Sequence, residues 1–446
     1  MKESIQFNDI EAFQSAYKSN PRRKLIQNAI IKSGITSIAQ NNEAVIAMKH
    51  LYSTEISTGD ITAQKHSGRC WMFAALNSLR INLIDKLNLK NFEFSQNFPM
   101  FWDKLEKANW FLENIIETAD KNIYDRTVMW LLRSPLQDGG QWDMFISILK
   151  IYGSAPQNVM PETHHSSNTA MMNFLITLKL RENASILRDA AEKGASLENL
   201  RLTKAQMLEE IYRMLAHFLG EPPTTFDFEY KDKDKNYHCD TGLTPVSFFK
   251  KYVETELEDY VSIINAPTKD KPFLKTYTVE YLGNITGGQP IKYLNLSNEA
   301  LKELALKQLQ DGEPVWFGCD VGKWLQRDLG IMDTAVYNYE DVLETCFGLD
   351  KAGRLDYGVS QLTHAMVFLG VNIADGKPNR WKVENSWGDK IGDDGFCIMS
   401  DDWFNNFNYQ VVINKKYLSP EQLEALQLPP VVLPAWDPMG SLALMR

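Results

Sequence analysis

The chain of 446 residues has little cysteine, no surplus of positive charge and no long apolar run. Its five cysteines, Cys70, Cys239, Cys319, Cys346 and Cys397, are scattered and odd in number, which argues against a secreted disulfide framework and for a reducing, cytoplasmic setting. No stretch approaches a membrane span, and Met1 to Ala12 is mixed polar, so neither a membrane anchor nor a signal segment is expected. The net charge of −10 argues against nucleic acid as a partner, because phosphate contact needs a basic face. The basic cluster Arg22, Arg23 and Lys24 reads instead as a solvated helix start. His164-His165 and His238-Cys239 lack partners at zinc-like spacing, so no metal and no other cofactor is expected. Internal repeats and low-complexity segments are absent as well.

What is present is a globular composition, 44% hydrophobic and 23% charged, on a chain long enough for two or three lobes. The expected class is α+β. Residues 1–60 read as an N-terminal wrapping segment, and 61–165 as a helical lobe with core aromatics such as Phe98, Phe101, Trp102, Trp110 and Phe111. Residues 166–275 read as an inserted helical region. It is strongly helical over 170–220, stopped at Glu221-Pro222-Pro223 and followed by a solvated loop, Lys231 to Lys235. Residues 276–415 read as a β-rich lobe, with strands at Thr276–Leu282, Pro314–Cys319 and Gly395–Met399. Residues 416–446 form a C-terminal arm, because the prolines of Leu428 to Pro438 forbid a helix.

The stretch Gln64 to Arg80 organises the rest. A Gly-X-Cys-Trp turn opens a run in which Met72, Phe73, Leu76, Leu79 and Leu83 recur at helical spacing, placing Cys70 in the first turn of a helix. There the unpaired backbone N–H groups favour a thiolate. Most free cysteines are small buried hydrophobes; here Gln, Gly and Trp flank the residue and point to a nucleophile. The Gln64 amide and the Cys70 N–H would together form an oxyanion hole. A nucleophilic cysteine needs a base, and the base needs an orienting partner. The β-rich run Leu362 to Gly370 carries His364, and Trp381 to Gly388 ends in Asn-Ser-Trp-Gly, supplying Asn385 to hold the ring and Trp387 to shield the bond. Cys397, in an alternating strand, reads as packing.

Cysteine, histidine and asparagine in this order match the papain-like pattern. Cys70 and His364 lie much further apart than the about 130 to 150 residues of papain itself, and Ser67 stands where secreted relatives carry a disulfide cysteine. Over its whole length the chain resembles the bleomycin hydrolase and bacterial aminopeptidase C family, most closely at Gln64–Phe73, His364–Gly370, Asn385–Gly388 and Trp436–Gly440.

The resemblance implies a two-lobed papain-like core with large helical insertions, peptide substrates and a homohexamer. It also implies a broad-specificity cysteine aminopeptidase whose arm lies in the cleft. A carboxylate fixed there would attract a substrate's α-ammonium, while the arm blocks any chain longer on that side. Gly139 and Gly140 look like the glycine pair that lines the substrate cleft, or else a plain turn. Resembling chains tend to end near Ala443, so Leu444, Met445 and Arg446 are either trimmed, which would bring the carboxylate to Ala443, or retained without consequence. The rival readings are an endopeptidase of the same fold and, from another class, a nucleic-acid-binding relative.

Overall fold

The computed structural model describes residues 3–253 and 256–444. Cys70 opens the helix Cys70–Lys86, which is buried on nearly every face: Trp71, Met72, Leu76, Leu79 and Leu83 lie in the core, as do Asn77 and Arg80. A helix apolar all round belongs in the interior of a large protein. It packs on the strand His364–Ala374 and on the helix Trp142–Tyr152.

That strand sits inside a twelve-stranded mixed sheet. Val315–Cys319 pairs with it antiparallel on one flank, with His364 opposite Cys319, and Lys377–Glu384 pairs on the other, with Val367 opposite Glu384. This register returns the chain beside the start of the strand, so Asn385 emerges next to His364. Positions 364–371 are all buried, as suits a central strand covered on both faces. The Arg80 guanidinium meets Glu384 at 2.6 Å, both side chains buried, and ties the residue before Asn385 to the nucleophile helix.

The expected strands appear as Lys275–Val279, Val315–Cys319 and Phe396–Ser400. The sheet begins before residue 276, however, because Tyr260–Ile264 pairs with Asn408–Asn414. Five residues are too few to display a period. The helices Ala170–Glu192 and Leu197–Leu219 pack on Asn97–Glu117, and their Leu180, Leu187, Ile211 and Leu215 share one continuous core with the sheet. The charged run at 231–235 is the tip of a hairpin, Phe226–Lys231 with Tyr237–Leu243. Phe228 anchors it against Phe92 and Phe248 while the charges face solvent.

The arm is ordered by contacts along its length. Val431–Leu433 adds in parallel to Lys275–Val279. Arg126 stacks over Trp436 at 3.5 Å, and Lys271 pairs with Asp437 at 2.9 Å. A 3₁₀ segment, Pro438–Leu444, then carries Met439, Leu442 and Ala443 into the interior.

Candidate active site

Three segments meet at the start of the helix that Cys70 opens. The backbone amides of Ala365, Trp71 and Cys70 lie near enough to the Cys70 sulfur to favour its ionised form, Ala365 being the residue that follows His364. His364 Nε2 lies 2.9 Å from Asn385 Oδ1. That oxygen also accepts the Ser386 N–H at 2.8 Å, while Asn385 Nδ2 donates to the Cys397 sulfur at 3.8 Å. The amide is thereby oriented with its oxygen toward the ring, so Nε2 carries the proton and Nδ1 is left as the base. Trp387 lies 5.0 Å from the His364 ring, tilted by 32°. Gln64 is pinned from two sides: Ser386 Oγ donates to its Oε1 at 2.6 Å, and its Nε2 donates to the Ser67 carbonyl at 2.5 Å. The second N–H of Nε2 is left for an oxyanion.

Burial opposes the thiolate that a helix N-terminus favours. Burial pushes the Cys70 thiol up to about 11, with the Asp138 charge adding to it and the three backbone amides opposing. Burial also pulls His364 down to about 4, aided by Arg327 and opposed by Asn385. Each group is therefore neutral when it must ionise alone in this dry site. Moving the proton from sulfur to ring creates two opposite charges that stabilise each other.

The glycine pair divides into two duties. A Cβ on Gly139 would stand 2.1 Å from the Leu442 carbonyl oxygen and 3.1 Å from the Ala443 Cα, so the arm crosses directly over this residue. A Cβ on Gly140 would instead stand 2.5 Å from the Trp71 indole, which is a packing requirement. Opposite Gly139, Ser441 Oγ donates to the Leu362 carbonyl at 2.8 Å and fixes the arm to the histidine wall. Beyond Ala443 opens a cavity of about 60 Å³ lined by Trp110, Trp130, Met144 and Tyr281. Leu444 is described only as the last backbone position of the 3₁₀ segment; Met445 and Arg446, expected to be either trimmed or retained, lie outside the described residues.

Beneath the glycines is a buried polar cluster centred on Asp138. It accepts from Lys104 at 2.6 Å, Thr169 at 2.5 Å, Asn173 at 2.7 Å and the Gly68 N–H at 2.9 Å. Although burial opposes ionisation, Lys104 and these donors hold the carboxyl well below the usual range. The Asp138 carbonyl accepts the Trp71 indole N–H at 2.7 Å. Asp138 thus joins the nucleophile loop to the segment that carries the arm.

The Peptidase C1-like family matches residues 4–440. The chain belongs to that family. Aminopeptidase C of Listeria monocytogenes is 49% identical over the full length of both chains, and Aminopeptidase C of Streptococcus thermophilus is 47% identical over 99% of each. The crystal structure of PepW from Lactobacillus rhamnosis HN001 superposes with a TM-score of 0.97 at 50% identity, covering 99% of both chains. His364 meets Asn385, Ser386 links that segment to Gln64, and the Ala365 backbone lies near the Cys70 sulfur. Asp138, Lys104 and Cys397 were not singled out from the sequence for this site. Asp138 stood inside the Gln-Asp-Gly-Gly stretch, whereas Lys104 offers no local signal. His164 and His165 pack edge-on against each other, and His238 pairs with Asp232.

The neutral His364 has a measurable consequence. Its ordinary value is near 6.5 and the fold holds it to about 4. As the pH falls below about 6.5 the unfolded chain takes up a proton here and the folded chain does not. Its contribution is complete above pH 6.5 and is lost toward pH 4. Between about pH 7 and 4.5 the wild type should lose roughly 2–3 kcal/mol more unfolding free energy than His364→Gln. Urea titrations at the two pH values check this, and parallel losses in both proteins would contradict it.

Proposed function

We infer that the chain is a cysteine aminopeptidase that removes residues from the free amino end of peptides. The observation that carries this reading is the arm. The backbone of Leu442 and Ala443 lies directly on Gly139 with both side chains buried, and in this reading the arm there blocks a chain that continues beyond the residue being released. The names of the relatives, Aminopeptidase C over the full length, support the same reading.

In this mechanism Cys70 attacks the first peptide carbonyl as its proton passes to Nδ1 of His364. The remaining Gln64 N–H and the Cys70 N–H hold the oxyanion, a role worth about 10²–10³ in kcat for a single donor. Protonated His364 then gives its proton to the departing amine. Water, deprotonated by the neutral ring, releases the amino acid from the thioester. Asn385 keeps the ring in register throughout, and Trp387 shields their hydrogen bond.

A hydrolysis panel of aminoacyl amides with free and N-acetylated amines tests this. The free amines should turn over, the blocked ones at least about tenfold more slowly, as loss of a charge-assisted contact implies. Cys70→Ala should be inactive. Equal turnover of blocked and free substrates, or an active Cys70→Ala, would contradict the reading.

The side-chain preference is broad and the working site cytoplasmic, where the cysteines Cys70, Cys239, Cys319, Cys346 and Cys397, all unpaired here, stay reduced. The oligomer is a homohexamer. Its support in this chain is the pair of helices Phe7–Lys18 and Pro21–Ser33, in which no side chain is buried although Phe7, Phe13, Leu25 and Ile31 are apolar. Sedimentation should give a sixfold chain mass that Leu25→Glu with Ile31→Glu reduces. A monomeric wild type would overturn the assignment.

A further inference from the structure

We propose that Arg327 anchors the terminal carboxylate of short peptides on the leaving-group side of the cleft, making dipeptides and tripeptides with free carboxyl ends favoured substrates. The proposal rests on the aminopeptidase reading above and adds to it the class of peptide and the residue that selects it.

The geometry starts from the reaction. The departing amine must come within hydrogen-bond reach of His364. The acyl side is occupied by the arm, held between Gly139 and Leu362. The part of the substrate behind the amine therefore runs past the His364 ring on the side away from the arm. Trp387 stands against that ring at 5.0 Å, and the Arg327 guanidinium lies over the Trp387 ring at 4.7 Å. The guanidinium is thus within about 10 Å of the imidazole, a span that two extended residues at about 3.5 Å each, with the arginine's own reach, can cover.

The chemistry of the group fits a carboxylate. Arg327 is exposed and makes no ion pair or side-chain hydrogen bond among the described residues. A guanidinium lying on an aromatic face keeps its N–H edge free for a bidentate carboxylate contact. Its loop is fixed, because Gly330 N–H donates to the Arg327 carbonyl and Gly392 N–H to that of Asp328, both at 3.1 Å. On a chain of net charge −10, an unpaired cation beside the catalytic ring supplies the local attraction that an anionic chain end otherwise lacks.

The test compares Leu-Ala and Leu-Ala-Ala, each as free acid and as carboxamide, with the full-length enzyme. The readout is the acid-to-amide ratio of kcat/KM. Any general effect of the substitution on His364 acts on both forms and cancels. Arg327→Gln should lower the ratio about tenfold for at least one of the two peptides, mainly through KM, and Arg327→Lys should keep most of it. Added salt should lower the wild-type ratio and leave that of Arg327→Gln flat. A ratio unchanged within about twofold in Arg327→Gln for both peptides would overturn the anchor while leaving the aminopeptidase reading intact. Failure of the wild type to hydrolyse any unblocked peptide would overturn both.

Discussion

The site depends on one close approach: the backbone of Leu442 and Ala443 lying on Gly139 with no room for a side chain between them. Buried in the folded chain, the Cys70 thiol and the His364 ring each cost much to charge alone, so the first is pushed up to about 11 and the second down to about 4. The same contact fixes where a substrate can lie. An arm that holds one half of the groove leaves the other half, from His364 past Trp387, for the rest of the peptide.

An arm can serve as a wall only if its own course is fixed, and polar contacts do that work at intervals. Lys271 holds Asp437, Tyr293 donates to the Met439 carbonyl at 3.3 Å, and Ser441 reaches Leu362. On the other wall, Asp138 binds the Gly68 N–H two residues before the nucleophile and precedes Gly139 in the chain. Lys104 balances its charge, and Lys107 donates to the Gly139 carbonyl at 2.6 Å. Secreted papain relatives carry a disulfide cysteine where this chain has Ser67. Here a buried carboxylate with several donors links the same loop to its neighbour and needs no oxidising compartment.

The candidate site residues could be picked from the sequence because each sits in a local pattern: Cys70 and Gln64 in one turn and helix start, His364 on a β-rich run, Asn385 in Asn-Ser-Trp-Gly. The strands at 315–319 and 364–374 were legible for the same reason. Other features depend on which distant segments meet. Cys397 read as packing, yet its sulfur takes the Asn385 N–H and so helps to aim the amide at His364. The helix N-terminus at Cys70 favours a thiolate, whereas burial, which only tertiary packing decides, opposes it. Tyr260–Ile264 was too short to show a period, and Arg327 lies in a loop with nothing local to mark it. Its position over Trp387 is purely tertiary.

The central claim is that the C-terminal arm, through Leu442 and Ala443 on Gly139, and no difference in the candidate reacting groups, restricts this papain-like site to amino-terminal residues. The most direct measurement is cleavage of an N-acetylated peptide at an internal bond, comparing the full chain with one ending at Gly440. The account predicts that the shortened enzyme gains internal cleavage dependent on Cys70 while the full chain shows little. A folded, thiol-active shortened enzyme that still cuts only free amino ends would contradict it.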